Sequence, residues 1–425
     1  MFIKKKSLFS KFSNRRYLNI FLISSLCITI LFFLFDKGLV NKYFVGGEGH
    51  FGIFNDWKIE VQLMECNFLK EKIHDSCQYI NAYGKIFYST IPFNESLKIF
   101  YLKYLPLILI FLFIFITSFI LEPINKKNVL IILLCIFNPT TLLLLERLNL
   151  DLVIFLILIF ISYNKFFFIN WYLFILSFLT KIYPVTLGII IFVENKLRNI
   201  RNLIIIIAVI LGIIIYYFIY NLNDILQLDV KSASAGYHFL FSLNSIPKLL
   251  KYSFDLNYIL CLVVVYSIFL YLVFINYKFI NNNSLLDRVE IFSNKTKLFL
   301  LSVNTLVLCF LIYSNYYYRE VFLICALPLL LSLNSKYIKI FINFIIIRYF
   351  FLFFYTYLNV NEESMFGETI YYIDGVRYFK DIFLISTYVK GFFDLALMSV
   401  LCSCILYLDF QIIKNLKHKF DTFFK

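Results

Sequence analysis

The chain has 425 residues, of which 61% are hydrophobic and only 16% charged, against roughly 45–50% apolar and about 25% charged residues in soluble globular chains. That balance excludes a soluble globular protein. The net charge of +14 does not point to nucleic acid, because the basic residues sit in short segments between apolar blocks, where they set membrane orientation.

The first apolar block, Leu18–Phe35, follows Lys4, Lys5, Lys6, Lys11, Arg15 and Arg16 with no acidic residue among them. This places the N-terminus in the cytoplasm. No small-residue cleavage site follows, so the block reads as a retained signal anchor. Residues 36–100 then form a long outer loop with seven Lys and eight Asp or Glu. Within it, Trp57–Leu69 has the pattern of an interfacial helix. Tyr101–Leu121 returns to the basic turn Lys126-Lys127. Val129–Leu145 goes out to Glu146–Asp151, and Leu152–Tyr163 comes back. Phe166–Val193 is interrupted by Lys181-Ile182-Tyr183-Pro184 and reads as two short helices meeting at the outer face, since proline breaks a helix. Leu203–Tyr220 goes out to loop 221–256, and Asn257–Tyr277 returns to the net-basic loop 278–297. Leu298–Tyr313, Val321–Leu333, Phe341–Leu358 and Ser386–Phe410 complete the layout, with loop 359–385 outside and a basic tail inside.

The expected fold class is therefore all-α: a polytopic transmembrane helical bundle of about twelve crossings, some short or broken, counted at roughly 20 apolar residues per full span. It forms one integral membrane domain over residues 1–425, with outer loops at 36–100, 221–256 and 359–385. Both termini lie in the cytoplasm.

Ionisable groups are costly at membrane depth and mark function. On this layout the unusual ones gather at the outer face. Asp56, in the run Gly49–Trp57, suits either a general base or a helix N-cap. Asn138-Pro139 precedes Glu146-Arg147-Leu148-Asn149-Leu150-Asp151, which closes a hairpin. Glu146 and Arg147 suit ion pairing, and Asp151 suits a helix start. Lys181 either snorkels to the surface or holds an anionic head group. Arg319, in Asn315–Glu320, has the planar fork that clamps phosphate. The tyrosines beside it suit an interfacial belt. Loop 232–247 adds Tyr237, His238 and Asn244.

No Gly-rich loop with Lys-Ser/Thr and no GxGxxG after a strand is present. A transferred group would then come from a lipid-carried donor rather than a cytoplasmic nucleotide. The four histidines are far apart and no Cys/His spacing reads as zinc, so neither a metal nor a cofactor is expected. Of nine cysteines, Cys66 and Cys77 share the first outer loop, where an oxidising compartment would allow them to pair. The others read as small hydrophobes.

Taken together, these motifs resemble the GT-C superfamily of polytopic glycosyltransferases. The likeness is to bacterial polyprenyl-phosphate-mannose-dependent transferases and to the first mannosyltransferase of GPI-anchor assembly. It is carried by the acidic Asp56 in the first outer loop, the Asn138-Pro139 and Glu146-Arg147-x-Asn149-x-Asp151 hairpin, Lys181-x-Tyr183-Pro184, Tyr83-Gly84-Lys85, and Tyr318-Arg319-Glu320 followed by Pro328. The resemblance implies an inverting transfer from a polyprenyl-phosphate sugar to a glycan or lipid-linked acceptor at the outer face. It implies Asp56 as the base, Lys181 and Arg319 on the leaving phosphate, and Tyr183, Glu146, Arg147, Asn149, Asp151 and His238 around the substrate. One departure is that Asn55 precedes Asp56 where several members carry a second acidic residue. A transporter or flippase of lipid-linked sugars and a polysaccharide polymerase or ligase are the competing expectations.

Overall fold

The computed structural model describes residues 7–37, 39, 54–69, 93–180, 212, 240–291, 293–312, 315–365, 370–373, 376–379 and 381–423. They are overwhelmingly helical. Among them, six helices are long and apolar enough to cross a bilayer: Arg16–Asp36, Ser96–Leu121, Tyr258–Asn282, Asn294–Leu311, Lys336–Thr356 and Ile385–Lys414. Each falls on an apolar block of the sequence, and the chain is a multi-pass membrane protein. The expected crossing over 203–220 lies outside the described residues, as does everything after Thr180 in the block 166–193.

The helices in chain order are α1 (Ser7–Asp36), α2 (Asn55–Leu69), α3 (Glu95–Ile99), α4 (Leu105–Leu121), α5 (Lys126–Phe137), α6 (Pro139–Arg147), α7 (Asp151–Tyr163) and α8 (Phe167–Thr180). There follow α9 (Ser245–Phe254), α10 (Tyr258–Asn282), α11 (Asn294–Ile312), α12 (Phe322–Ser332), α13 (Lys336–Met365) and α14 (Asp381–Phe423). Two small antiparallel ribbons complete the described set. β1 (Leu240–Phe241) pairs with β2 (Asn315–Tyr316), and β3 (Ile370–Ile373) pairs with β4 (Val376–Phe379).

The chain divides into two compact units. The first comprises Met1–Lys58, Glu95–Val153 and Leu330–Thr387. Here α1 lies along α4, tied by an ion pair from Arg16 to Glu122 at 3.0 Å. The Asn19 amide also donates to the Pro123 carbonyl at 3.4 Å. Where the sequence suggests one crossing over 129–145, the structure has two helices, α5 and α6, bent by 48°. Pro139 has no N–H and suits the first position of a new helix. Asn138 is extended (φ −65°, ψ 152°) and joins the two. Its side-chain oxygen accepts from the Thr141 N–H at 3.1 Å, and the Thr140 hydroxyl donates to the same oxygen. Its amide donates to the Leu134 and Cys135 carbonyls at 3.1 and 3.0 Å. One buried side chain thus satisfies both the end of α5 and the start of α6, as a helix break at membrane depth requires.

The second unit comprises Ile59–Asn94, Ile154–Leu329 and Tyr388–Lys425. Its α10 and α14 meet along a polar seam. Asn276 donates to the Ser399 hydroxyl at 3.0 Å, and Ser403 donates to the Val273 carbonyl at 2.8 Å. Beyond the end of α10, the Tyr407 hydroxyl donates to Asp287, and with Ser284 holds that carboxyl below its ordinary value. Gly391 of α14 faces Ile246 of α9, so an added Cβ would stand 3.3 Å from the isoleucine side chain.

Helix α7 has 13 residues, which at 1.5 Å each rise about 20 Å, short of the roughly 30 Å hydrocarbon layer. Most of it is buried, so protein rather than lipid surrounds it. Asn138→Ala should lower the thermal midpoint in detergent, because it strips the cap from α6 and leaves the Cys135 carbonyl of α5 without its side-chain donor. The expected loss is about 1–3 kcal/mol. An unchanged midpoint would contradict this account of the bend.

Candidate functional site

The site is built where α2 begins. A helix start needs a fixed direction, and here four contacts within the first unit supply it. The Phe54 ring meets Phe35, at the end of α1, edge-on at 6.5 Å. The Phe54 N–H donates to the Glu146 carbonyl at 2.7 Å. The Trp57 indole N–H donates to the Tyr101 carbonyl at 2.9 Å. Asp56, in the first turn of α2, accepts from the Asn149 amide at 2.9 Å through its Oδ2.

The Trp57 bond follows from the sequence around Pro106. Residues Phe100–Tyr104 form a π-helical turn, in which the Leu105 N–H reaches back to the Phe100 carbonyl. In that register the next donor, for the Tyr101 carbonyl, is residue 106, a proline with no N–H. The indole supplies the missing donor from outside the helix. Trp57 is buried, and an unmatched carbonyl there would be costly.

Arg147 approaches the other carboxylate oxygen of Asp56, with Nη1 at 3.9 Å from Oδ1. Both side chains remain partly accessible, at 26% and 21%. Glu146 is buried and feels the charges of Arg147, Asp56 and Lys58. Asn149 also caps the following helix, since its Oδ1 accepts the Asp151 N–H at 3.2 Å. Asp151 is the first residue of α7 and is fully buried. The hairpin of the sequence is thus a tight turn between α6 and α7.

Two residues bracketing this cluster have left-handed backbone: Phe54 (φ 64°) and Leu148 (φ 50°). For side chains other than glycine this conformation costs about 1–2 kcal/mol. Strain of this kind gathers at functional sites and persists only where the surroundings enforce it.

The structure therefore brings together Asp56, Glu146, Arg147, Asn149 and Asp151. Arg319 lies in the second unit, in a short 3₁₀ turn (Tyr317–Val321) beside the buried Glu320. The β1–β2 pairing sets Leu240 and Phe241 next to Tyr316 and Asn315. Lys181, Tyr183 and His238 lie outside the described residues. Cys66 is disulfide-bonded, while Cys77, the expected partner, lies outside the described residues.

Some charged groups escaped the sequence reading. Arg348 is buried in α13, within the span Lys336–Thr356. Lys390 and Asp394 form a buried ion pair at 2.7 Å in α14, within the span Ile385–Lys414. Unusual charges thus also lie within candidate spans. The signal available was the four-residue spacing of Lys390 and Asp394, which places opposite charges on one helix face.

Trp57→Phe keeps an aromatic ring and removes the donor to Tyr101. It should destabilise the protein by about 1–3 kcal/mol, read as a lower thermal midpoint, and wild-type stability would contradict the assigned bond. No protein-family model, no curated protein and no solved structure matches this chain.

Proposed function

We propose that the protein is a membrane glycosyltransferase that moves a sugar from a polyprenyl-phosphate donor to a glycan or lipid-linked acceptor at the extracytoplasmic face. The acceptor hydroxyl oxygen attacks the anomeric carbon from the side opposite the phosphate. The sugar–phosphate C–O bond breaks and its electron pair leaves with the polyprenyl phosphate. Attack from that side inverts the configuration, and the hydroxyl proton passes to Asp56. Arg319 and Lys181 are assigned the departing phosphate, where stabilising developing charge is a large catalytic contribution. Tyr183, Arg147, Glu146, Asp151 and His238 are assigned to the substrate surroundings.

The observation that carries this reading is the convergence of Asp56 with Asn149 and Arg147, across more than 90 positions of chain. A base has to be held within reach of the proton it removes, and the four contacts on the start of α2 hold this one. The Cys66 disulfide supports an extracytoplasmic first loop, since such bonds persist in oxidising compartments. The full layout that goes with this function has about twelve crossings at roughly 20 residues each, with both termini in the cytoplasm. The order and spacing of the motifs supply the substrate class through the GT-C resemblance.

Arg348 and the Lys390–Asp394 pair favour a second reading, a transporter of lipid-linked sugars, because buried charges within spans mark substrate and ion pathways. One assay separates the two. Membranes are supplied with radiolabelled polyprenyl-phosphate sugar and both new covalent product and transbilayer movement are followed. Wild type should form product, and Asp56→Asn should lose it by about 10²–10⁴-fold, the usual contribution of a general base. Product formed equally by both would remove Asp56 from the role. Movement of label without any product would favour transport.

A further inference from the structure

We infer that Asn149 is a positioning residue that fixes which oxygen of Asp56 takes the acceptor's proton; the inference rests on the sugar-transfer reading above. The Asn149 side chain is held at both ends. Its oxygen accepts the Asp151 N–H at 3.2 Å, and its NH₂ donates to Asp56 Oδ2 at 2.9 Å. The first bond leaves the amide only one sense of rotation, because an NH₂ facing an N–H would be repelled. The start of α7 therefore dictates that a donor, not an acceptor, faces Asp56. A carboxylate has no preferred base oxygen until one oxygen is occupied. Asn149 occupies Oδ2. Arg147 reaches Oδ1 only to 3.9 Å, beyond ordinary hydrogen-bond length, so Oδ1 is the oxygen assigned to the proton. Arg147 keeps a positive charge beside it without consuming its lone pairs.

Asn149 also links the start of α2 to the start of α7. It belongs to the turn after α6, whose last residue, Arg147, flanks Asp56, and it caps α7. The left-handed Leu148 turns the chain from one role to the other, with its own N–H bonded back to the Leu144 carbonyl at 2.8 Å. Among the described residues, Arg147 flanks Asp56, Glu146 feels the charges of Arg147, Asp56 and Lys58, and Asp151 lies beyond the asparagine.

The test uses the full-length protein and two substitutions. Asn149→Asp keeps an oxygen to accept the Asp151 N–H, so the cap on α7 survives. It loses the donor and sets a second carboxylate against Asp56. Two carboxylates sharing one site cannot both ionise freely. The acid limb of the pH profile for transfer from radiolabelled polyprenyl-phosphate sugar should then move to higher pH by about one unit or more. Turnover should fall about tenfold or more, since the base loses its orientation, with the KM for the donor little changed. Asn149→Ala removes both bonds and should lower turnover and the thermal midpoint. It should move the acid limb upward by less than Asn149→Asp does, because it removes a donor to the carboxylate without adding a second charge. A second readout is independent of transfer. Carbodiimide consumes the protonated carboxyl, so modification of residue 56, measured by mass spectrometry, should persist to higher pH in Asn149→Asp than in wild type.

Unchanged pH dependence of both transfer and modification in Asn149→Asp overturns the coupling of Asn149 to Asp56. A shifted modification profile in a protein whose wild type transfers no sugar overturns the catalytic role by removing its reaction, while the coupling itself survives. A lower thermal midpoint in both variants, with neither pH profile moved, reduces Asn149 to a helix cap.

Discussion

Hydrocarbon offers no hydrogen bonds, so every backbone group within the bilayer has to be satisfied by the protein itself. Among the described residues, six apolar helices meet that demand by continuity. The places where helices are interrupted meet it with single polar side chains. At Asn138 one amide serves the end of α5 and the start of α6. Ahead of Pro106 the unmatched Tyr101 carbonyl is served by the Trp57 indole. The second case has a consequence beyond stability, because Trp57 sits one residue after Asp56. The device that repairs an interrupted helix also fixes the start of α2, and with it the carboxylate to which a chemical role is assigned.

The site inherits its geometry from these repairs. Asp56 comes from the segment after α1, whereas Arg147 and Asn149 come from the turn that ends the bent pair α5–α6. A straight helix over 126–147 would aim that turn elsewhere. The bend at Asn138, the left-handed Leu148 and the cap on α7 together define where Asn149 stands. The left-handed Phe54 and its bond to Glu146 define where Asp56 stands. Both halves store backbone strain, and the contacts of Phe54 with the burial of Leu148 and Trp57 keep it in place.

Much of this was legible in the sequence because the signals were long or ordered. Each of the six spanning helices follows an apolar block, to within a few residues at its ends. Asp56 and the Glu146–Asp151 turn were recognisable as polar groups closing apolar runs, and the structure joins them. The bend at Asn138 was not read, although Asn-Pro is the local chemistry of a helix restart, because hydropathy averages smoothly across it. Arg348, Lys390 and Asp394 were missed for the same reason: one or two charges barely alter the mean of a long apolar window. The interaction of Trp57 with Tyr101 depends on a π-helical register that no residue pattern announces. Arg147 and Asn149 were assigned to substrate by resemblance, whereas their distances to Asp56 tie them first to the carboxylate.

The central claim is that a polyprenyl-phosphate sugar binds against Asp56 and its partners rather than along the buried charges of α13 and α14. Photo-crosslinking tests this most directly. A photoreactive polyprenyl-phosphate sugar would be irradiated with the protein in membranes, and the adducts mapped by mass spectrometry. The account predicts adducts on residues 54–57 and 146–151. Adducts confined to the neighbourhood of Arg348 and of Lys390 and Asp394 would contradict it and place the substrate on a path through the bundle.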